Sequence, residues 1–373
     1  MRERGRRDRR YRRLRQIYQI GNKLWLDLSY FDYCTGLTMT NEKFDQLFGG
    51  PPRKPEQRLT QREMDLAASV QVVTEEIMLK LAEGVAKETG EKNLCLAGGV
   101  ALNCVANGKL LRKKYFNRLW MQPAAGDAGG ALGAAFVAYH KHKAQPRVVN
   151  PAAMDAMRGG YLGPQFMQHE IEDRLRKAGA VFETLPDHQL VEECAKSLAD
   201  GKALGWFQGR MEFGPRALGG RSIIGCPSVP GVANRINEQI KFRERWRPFC
   251  PSMLDTVAEQ MLKVDHPSPF MTFTFEVNEG WKERVGEVVH EDGTSRAQVL
   301  ERRHNPRWYD LMVELEKLTG NGVSLNTSLN RRGEPMICSP TDALNMFYGS
   351  DLQYLIMEDV LVVKEGKGWY DSV

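Results

Sequence analysis

The chain has no apolar run approaching the roughly twenty residues needed to cross a bilayer, no CxxC pair, and only seven histidines in 373 residues, none of them among the first twenty. A soluble, cytoplasmic protein is expected. The seven cysteines, at 34, 95, 104, 194, 226, 250 and 338, are odd in number and scattered, which argues against a disulfide framework or a zinc ribbon and for reduced thiols. His140 and His142 stand two apart on a predicted helix and so do not share a face; a metal pair there is not expected, and both are read as surface residues. No apolar segment follows the N-terminal charges, so they are not a signal peptide, and no internal repeat is found.

Charge is present but unevenly placed. Of a formal net +5, residues 1–20 hold nine arginines against Glu3 and Asp8, a local +7, and the rest of the chain sums to −2. The basicity belongs to a tail, read as disordered.

Thr60 with Glu63 forms a capping-box pattern ahead of Met64, Ala67, Ala68, Val70, Ile77, Leu81 and Val85, so a helix is predicted from 60 to 89, ended by Gly90. Leu24 to Thr40 reads as β-prone, and short strands are expected at 94–97 and 119–122. The first runs into Gly98-Gly99 and a helix beginning near Asn103; the second leads to Asp127 in a glycine turn before a small-residue helix. Strand, glycine turn and helix N-terminus are the parts of a nucleotide site, although tight turns need glycine anyway. Asp127 could cap its helix or bind a metal, and spacing alone favours the cap. Residues 143–160 have loop composition and mark the expected domain boundary. Beyond it, helices are predicted at 168–178, 190–198, 305–318 and 341–348. Strands are predicted at 181–185, 203–207, 270–277, 285–289, from 323, and at 355–363.

The stretch from Gly205 to Ser252 carries Arg210, Arg216, Arg221, Lys241, Arg243, Arg245 and Arg247 among glycines, opposed by Glu212, Glu238 and Glu244. Guanidinium forks beside free backbone N–H groups suit phosphate or carboxylate. A solvated basic loop is the alternative, but Trp206, Phe207, Phe213, Trp246 and Phe249 interrupt the charges, which favours a site. Later, Asn326, Thr327, Ser328, Asn330 and Arg332 supply amide, hydroxyl and guanidinium donors after a strand, equally readable as ordinary turn residues.

In order, DLSYFDYCTGLTMTNEKFDQLFGGPPR, LAGGVALNCVANGKL, GDAGGALGAA, GRMEFGPRALGGRS, KFRERWRPF, DGTSRAQ and LNTSLNRRGEP resemble the NodU/CmcH-type O-carbamoyltransferases from about Asn22 onward. The resemblance implies a mixed α/β and α+β chain of two domains. Residues 21–155 would be the later part of a sugar-kinase/Hsp70/actin-type ATPase domain that transfers the carbamoyl group. Residues 156–373 would be a YrdC-like domain that forms carbamoyl adenylate. It implies that carbamoyl phosphate and ATP give carbamoyl adenylate and pyrophosphate, and that the carbamoyl group then passes to a hydroxyl of a small molecule or sugar.

By motif position the resemblance assigns Lys241, Arg247, Arg296 and Ser328 to carbamoyl phosphate and ATP, with Arg216, Arg221, Asn326 and Asn330 around them. It makes Asn103 a contact of the adenylate and Asp127 a metal ligand, which moves the ligand reading of Asp127 ahead of the cap. ATP is expected as a substrate with Mg2+. Family members carry a further half-domain before the DLSYFD segment, with a histidine pair that completes an iron-type site; that half is expected to be truncated here or supplied by a separate chain. Nucleic-acid or tRNA binding through the Arg tail, and an inactive fragment, are the competing readings. A membrane partner is not expected.

Overall fold

The computed structural model describes residues 13–14, 18–20, 24–54, 57–149, 155–263 and 266–364. The Arg-rich tail falls almost wholly outside them. By internal packing the chain forms two compact units, residues 1–95 with 105–120, and residues 96–104 with 121–373. This grouping follows packing and leaves the expected fold boundary at 155/156 as it stood.

The first unit begins with an antiparallel pair, β1 (Tyr18–Ile20) and β2 (Leu24–Leu26). Helix α1 (Glu42–Phe48) starts where Asn41 accepts from Lys43 and Phe44 N–H. Helix α2 (Gln61–Thr89) has the predicted capping box at Thr60 and Glu63 and ends at Gly90, whose φ of 66° suits glycine. Leu14, Phe48 and Val73 make a small core with Leu26, Tyr30, Phe31 and Phe44 around it. Strand β3 (Asn93–Leu96), helix α3 (Cys104–Lys113) and strand β4 (Arg118–Met121) follow, with β3 paired to β4.

In the second unit, helix α4 (Asp127–Phe136) buries none of its residues. After it come α5 (Gln168–Lys177), β5 (Val181–Thr184), α6 (Asp187–Ala199), β6 (Leu204–Phe207), β7 (Arg221–Gly225), α7 (Val232–Arg235), β8 (Cys250–Leu254) and α8 (Asp255–Met261). The series ends with β9 (Phe275–Glu276), α9 (Glu279–Lys282), β10 (Thr294–Ser295), β11 (Gln298–Leu300), α10 (Pro306–Thr319), β12 (Val323–Ser328), α11 (Pro340–Tyr348), β13 (Tyr354–Met357) and β14 (Val360–Val363). Eight strands form one mixed sheet in the order β11-β8-β12-β7-β6-β13-β14-β5. Its inner strands β6, β7, β8 and β13 are buried throughout. They therefore lack the apolar/polar alternation of a half-exposed strand. Register places Ser328 opposite Ser222, Asn326 opposite Cys250, and Phe207 opposite both Arg221 and Met357. One end of the sheet thus collects the motif residues.

Four expectations are corrected. Residues 24–40 are mostly turn, with β2 and an isolated bridge from Phe31 to Thr40. Of 270–277 only Phe275–Glu276 is strand; both sides of the segment are buried, and Met271 has φ 54°, so the alternation has no solvent face to match. Residues 286–288 form a 3-10 turn in place of a strand. The closing strand at 355–363 is a hairpin, because Glu358 takes φ 51° and its N–H donates to Phe207 O.

Candidate active site

Lys241 follows a wide helical turn, residues 236–240, and is 4% exposed. Its Nζ donates to Ser328 O at 2.7 Å, Ser328 Oγ at 3.2 Å and Asn330 Oδ1 at 2.6 Å, and Ser328 Oγ donates to Asn330 Oδ1 at 2.6 Å. The motif at 323–335 therefore meets the motif at 241–249 through hydrogen bonds. Burial, then the positive charges of Arg243 and Arg247, push the ammonium down to about 7.

The segment after Lys241 is shaped by Asn237, which is fully buried. Its Nδ2 donates to Arg247 O at 3.1 Å and Arg245 O at 3.4 Å, and its Oδ1 accepts from Arg243 Nε at 2.5 Å. Arg243 lies over the Phe249 ring at 4.7 Å and is pushed down to about 10 by burial and then by Arg247. Arg247 itself is exposed.

A second group of charges adjoins the first, since Arg296 and Cys250 also act on Arg243. Arg296 Nε donates to Cys250 Sγ at 2.9 Å. Burial opposes the Arg296 charge, but Cys250 and Cys104 outweigh it and hold the guanidinium above its ordinary range. Burial alone would raise the Cys250 thiol; Arg296 and His290 more than offset this and hold it low. Arg216 is pulled down by burial and by Arg296, and it donates to Leu102 O at 3.4 Å. That bond brings the glycine turn bearing Asn103 to the same cluster, and Cys104 O accepts from Thr274 N at 3.1 Å. Guanidinium groups crowded in a low-dielectric site are the arrangement an oxyanion stabilises.

Two predicted contacts have other work. Arg221 is 0% exposed, with NH1 donating to Gln208 O, Gly209 O and Gly220 O, NH2 to Pro164 O and Nε to Cys338 O, and its guanidinium lies 3.5 Å from the centre of the Phe207 ring. It ties loops together. Asn326 Nδ2 donates to Ala217 O at 3.1 Å and to Ser252 Oγ at 2.9 Å, while Gln298 Nε2 donates to Leu218 O at 2.9 Å. These amides fasten the loop that carries Arg216 to the sheet. Glu212, buried, completes it by accepting from the N–H groups of Leu218, Gly220 and Arg221.

Asp127 is the first residue of α4; Gly126 takes the N-cap position and no side chain caps the helix, so the cap reading is corrected. Asp127 is exposed, and among the described residues no group of three His, Cys, Asp or Glu is placed to hold a metal ion. The described residues do not assemble the donor set of a catalytic iron-type site. His142 is exposed and His140 half-buried. Among the described residues no helix is long and apolar enough to cross a membrane. Asn237, Gln298 and Cys250 were not singled out as functional from the sequence, and Arg243 and Glu212 only as members of the charged stretch. Each sits within or beside a motif, but only the fold shows which backbone groups it serves.

The charge cluster lies on a mixed sheet of an α/β protein, and sequence comparison shows its family. Residues 3–136 match the family model described as Carbamoyltransferase N-terminus, and residues 195–364 the one described as Carbamoyltransferase C-terminus. The chain belongs to the carbamoyltransferase family. It is 47% identical over 361 residues to an uncharacterized protein of Synechocystis sp., covering 91% of this chain and 58% of that protein. It is 37% identical over 309 residues to the nodulation protein NolO of Bradyrhizobium diazoefficiens, covering 82% and 55%. The chain thus spans little more than half the length of these relatives. Among solved structures it is similar to full-length HypF in a phosphate- and nucleotide-bound form (TM-score 0.32, 16% identity, 48% of this chain and 22% of that one). It is also similar to P. abyssi Sua5 complexed with L-threonine (TM-score 0.32, 14% identity, 47% and 48%).

Proposed function

We propose that this chain forms carbamoyl adenylate from carbamoyl phosphate and ATP, as a step toward O-carbamoylation of a hydroxyl on a small molecule or sugar. The observation that supports this most is the meeting of Lys241, Ser328 and Asn330 with Arg243, Arg247, Arg296 and Arg216 at one end of a sheet. Two phosphorylated substrates bring several negative charges together, and fixed cations are the means of holding them.

Atom balance sets the sequence of bonds. Water first cleaves carbamoyl phosphate to carbamate and inorganic phosphate. A carbamate oxygen then attacks the α-phosphorus of ATP, and pyrophosphate leaves. Carbamate is a poor electrophile, and its attachment to AMP supplies the leaving group for transfer to the acceptor hydroxyl. In this reading Lys241, anchored on Ser328 and Asn330, and Arg247 hold phosphate oxygens, while Arg296 and Arg216 hold the second anion. Mg2+ would accompany ATP and neutralise its phosphates. Asn103 sits beside the Arg216 contact and would border the adenylate; Asn326 and Arg221 keep the loops in place. The transfer step would belong to an ATPase-like domain, of which residues 21–155 would be the later part. Asp127 would be that domain's contribution to an iron-type metal, which the described residues do not complete.

The test is exchange of labelled pyrophosphate into ATP. It is expected only when carbamoyl phosphate is present, and it should fall at least about a hundredfold in Lys241→Ala and Arg247→Ala, by analogy with loss of a donor to developing charge. Folded protein that gives no exchange, or exchange independent of carbamoyl phosphate, counts against the reading.

A further inference from the structure

A cavity of about 340 Å³ opens between the segment from Arg158 to Gln165, the end of β6 and the start of α10. Among the described residues, three guanidinium groups line it, those of Arg158, Arg210 and Arg307, against one carboxylate, Glu358. It shares no lining residue with the cluster of Lys241, Ser328 and Asn330. Most of its wall is already satisfied. Arg307 donates to Gln208 Oε1 at 2.8 Å and pairs with Asp187 and Asp359 at 2.6 Å each, both outside the cavity. Glu358 accepts from Gly209 N at 2.7 Å and lies 3.7 Å from Arg307. Tyr161 OH donates to Leu218 O at 2.6 Å, and Asn305 Oδ1 accepts from Trp308 N at 3.1 Å, so helix α10 is capped from within.

Two cations are left over. Among the described residues, Arg210 donates to Gly163 O at 3.1 Å and meets no carboxylate, and the Arg158 guanidinium makes no hydrogen bond or ion pair. Both are exposed, whereas the neighbouring Arg302 and Arg303 are paired with Asp310 and Glu301. Backbone pairing brings the two together: Gly163 N donates to Met211 O and Met211 N to Pro164 O, both at 2.9 Å, and Phe213 N to Gly160 O at 2.7 Å. Arg158 is held with φ 49°, followed by Gly159 at 70° and Gly160 at 89°. Left-handed backbone is unfavourable at arginine, and such strain gathers at functional sites. Packing imposes it here. Asp155 Oδ2 accepts from Gly159 N at 3.2 Å and lies 2.9 Å from His304 Nε2, and a Cβ on Gly159 would meet the His304 side chain at 2.9–3.0 Å.

We propose that this cavity is a second oxyanion site, separate from the one at Lys241, in which Arg158 and Arg210 take the phosphate group of a small molecule. Each guanidinium fork matches two phosphate oxygens, and neither has a carboxylate to displace. The exposed Gln165 amide stands at the same rim for the rest of the ligand. Pyrophosphate, inorganic phosphate and sugar phosphates share this chemistry. The assignment does not rest on the proposed function.

Phenylglyoxal labels accessible guanidinium groups, and mass spectrometry of the digested full chain reads each arginine separately. Pyrophosphate, inorganic phosphate and ribose 5-phosphate are tested in turn at about 5 mM and constant ionic strength. At least one should slow labelling of Arg158 and Arg210 about threefold or more, the protection that a Kd of about 2 mM gives, with Arg302 and Arg303 unchanged. The compound that protects at the lowest concentration tells a released product from a phosphorylated sugar. Protection should persist in Lys241→Ala, which disables the first site. In Arg158→Ala, shown folded by circular dichroism, Arg210 should lose its protection, and Arg158→Lys, which keeps the charge without the fork, should need about tenfold more ligand. Labelling of Arg158 and Arg210 that falls no more than that of Arg302 with all three compounds overturns the proposal. So does protection that disappears in Lys241→Ala or survives unchanged in Arg158→Ala.

Discussion

Binding of a phosphate dianion beside Lys241 should draw a proton from solution. In the free protein, burial and the charges of Arg243 and Arg247 hold the ammonium down to about 7, so above neutrality it is largely a neutral amine. A bound dianion favours the charged form and raises that value. The ligand therefore prefers the protonated site, and affinity is full below pH 7 and weakens as pH rises through it. If the bound form stays protonated, affinity falls about fiftyfold between pH 7 and pH 9, and about 0.9 of a proton is taken up per ligand near pH 8. Titration calorimetry with fresh carbamoyl phosphate, in buffers of different ionisation enthalpy, measures both quantities. Lys241→Arg keeps the charge at every pH and should abolish uptake and flatten the profile. A flat profile in the wild type, or uptake that survives in Lys241→Arg, would refute the assignment.

Other expectations follow from the same packing. Arg221→Met leaves several buried carbonyls without donors and should cost about 3–5 kcal/mol in urea unfolding; a loss under 1 kcal/mol would deny its structural role. Asn237→Ala removes the amide that holds the Arg243 to Arg247 segment and should cost about 2 kcal/mol while weakening carbamoyl phosphate binding. Unaltered binding in that variant would show the segment is shaped otherwise. Gly219 has φ 102°, and a Cβ there would meet the Trp308 ring at 2.9–3.0 Å, so Gly219→Ala should cost about 2–4 kcal/mol in the same assay.

Helices with end signals were legible in the sequence. The capping box at Thr60, Gly90 at the far end and Ser339 ahead of Pro340 each fix a boundary through a local hydrogen bond. The strand from 270 was misread because both sides of that alternating segment are buried, and the single strand through 355–363 because the turn at Glu358 carries no turn residue. The Glu358-Asp359 turn lacks the usual glycine: its strain is offset by distant bonds, Glu358 Oε1 to Gly209 N and Asp359 to Arg307. The site was legible as a set of motifs but not as roles. Arg216, Arg221 and Arg247 look alike in sequence, and only the surrounding carbonyls separate the tie of Arg221 from the exposed Arg247. The Asp127 cap failed for a related reason, since Gly126 already occupies the cap position.

The central claim concerns an intermediate, and the intermediate can be sought directly. Purified chain, ATP, Mg2+ and carbamoyl phosphate, with no acceptor added, should yield carbamoyl adenylate, detectable by chromatography and mass spectrometry of the acid-free filtrate. One inorganic phosphate and one pyrophosphate should accompany each molecule formed. Formation of inorganic phosphate and pyrophosphate without the adenylate, or ATP left intact by folded protein that binds both substrates, would contradict the account.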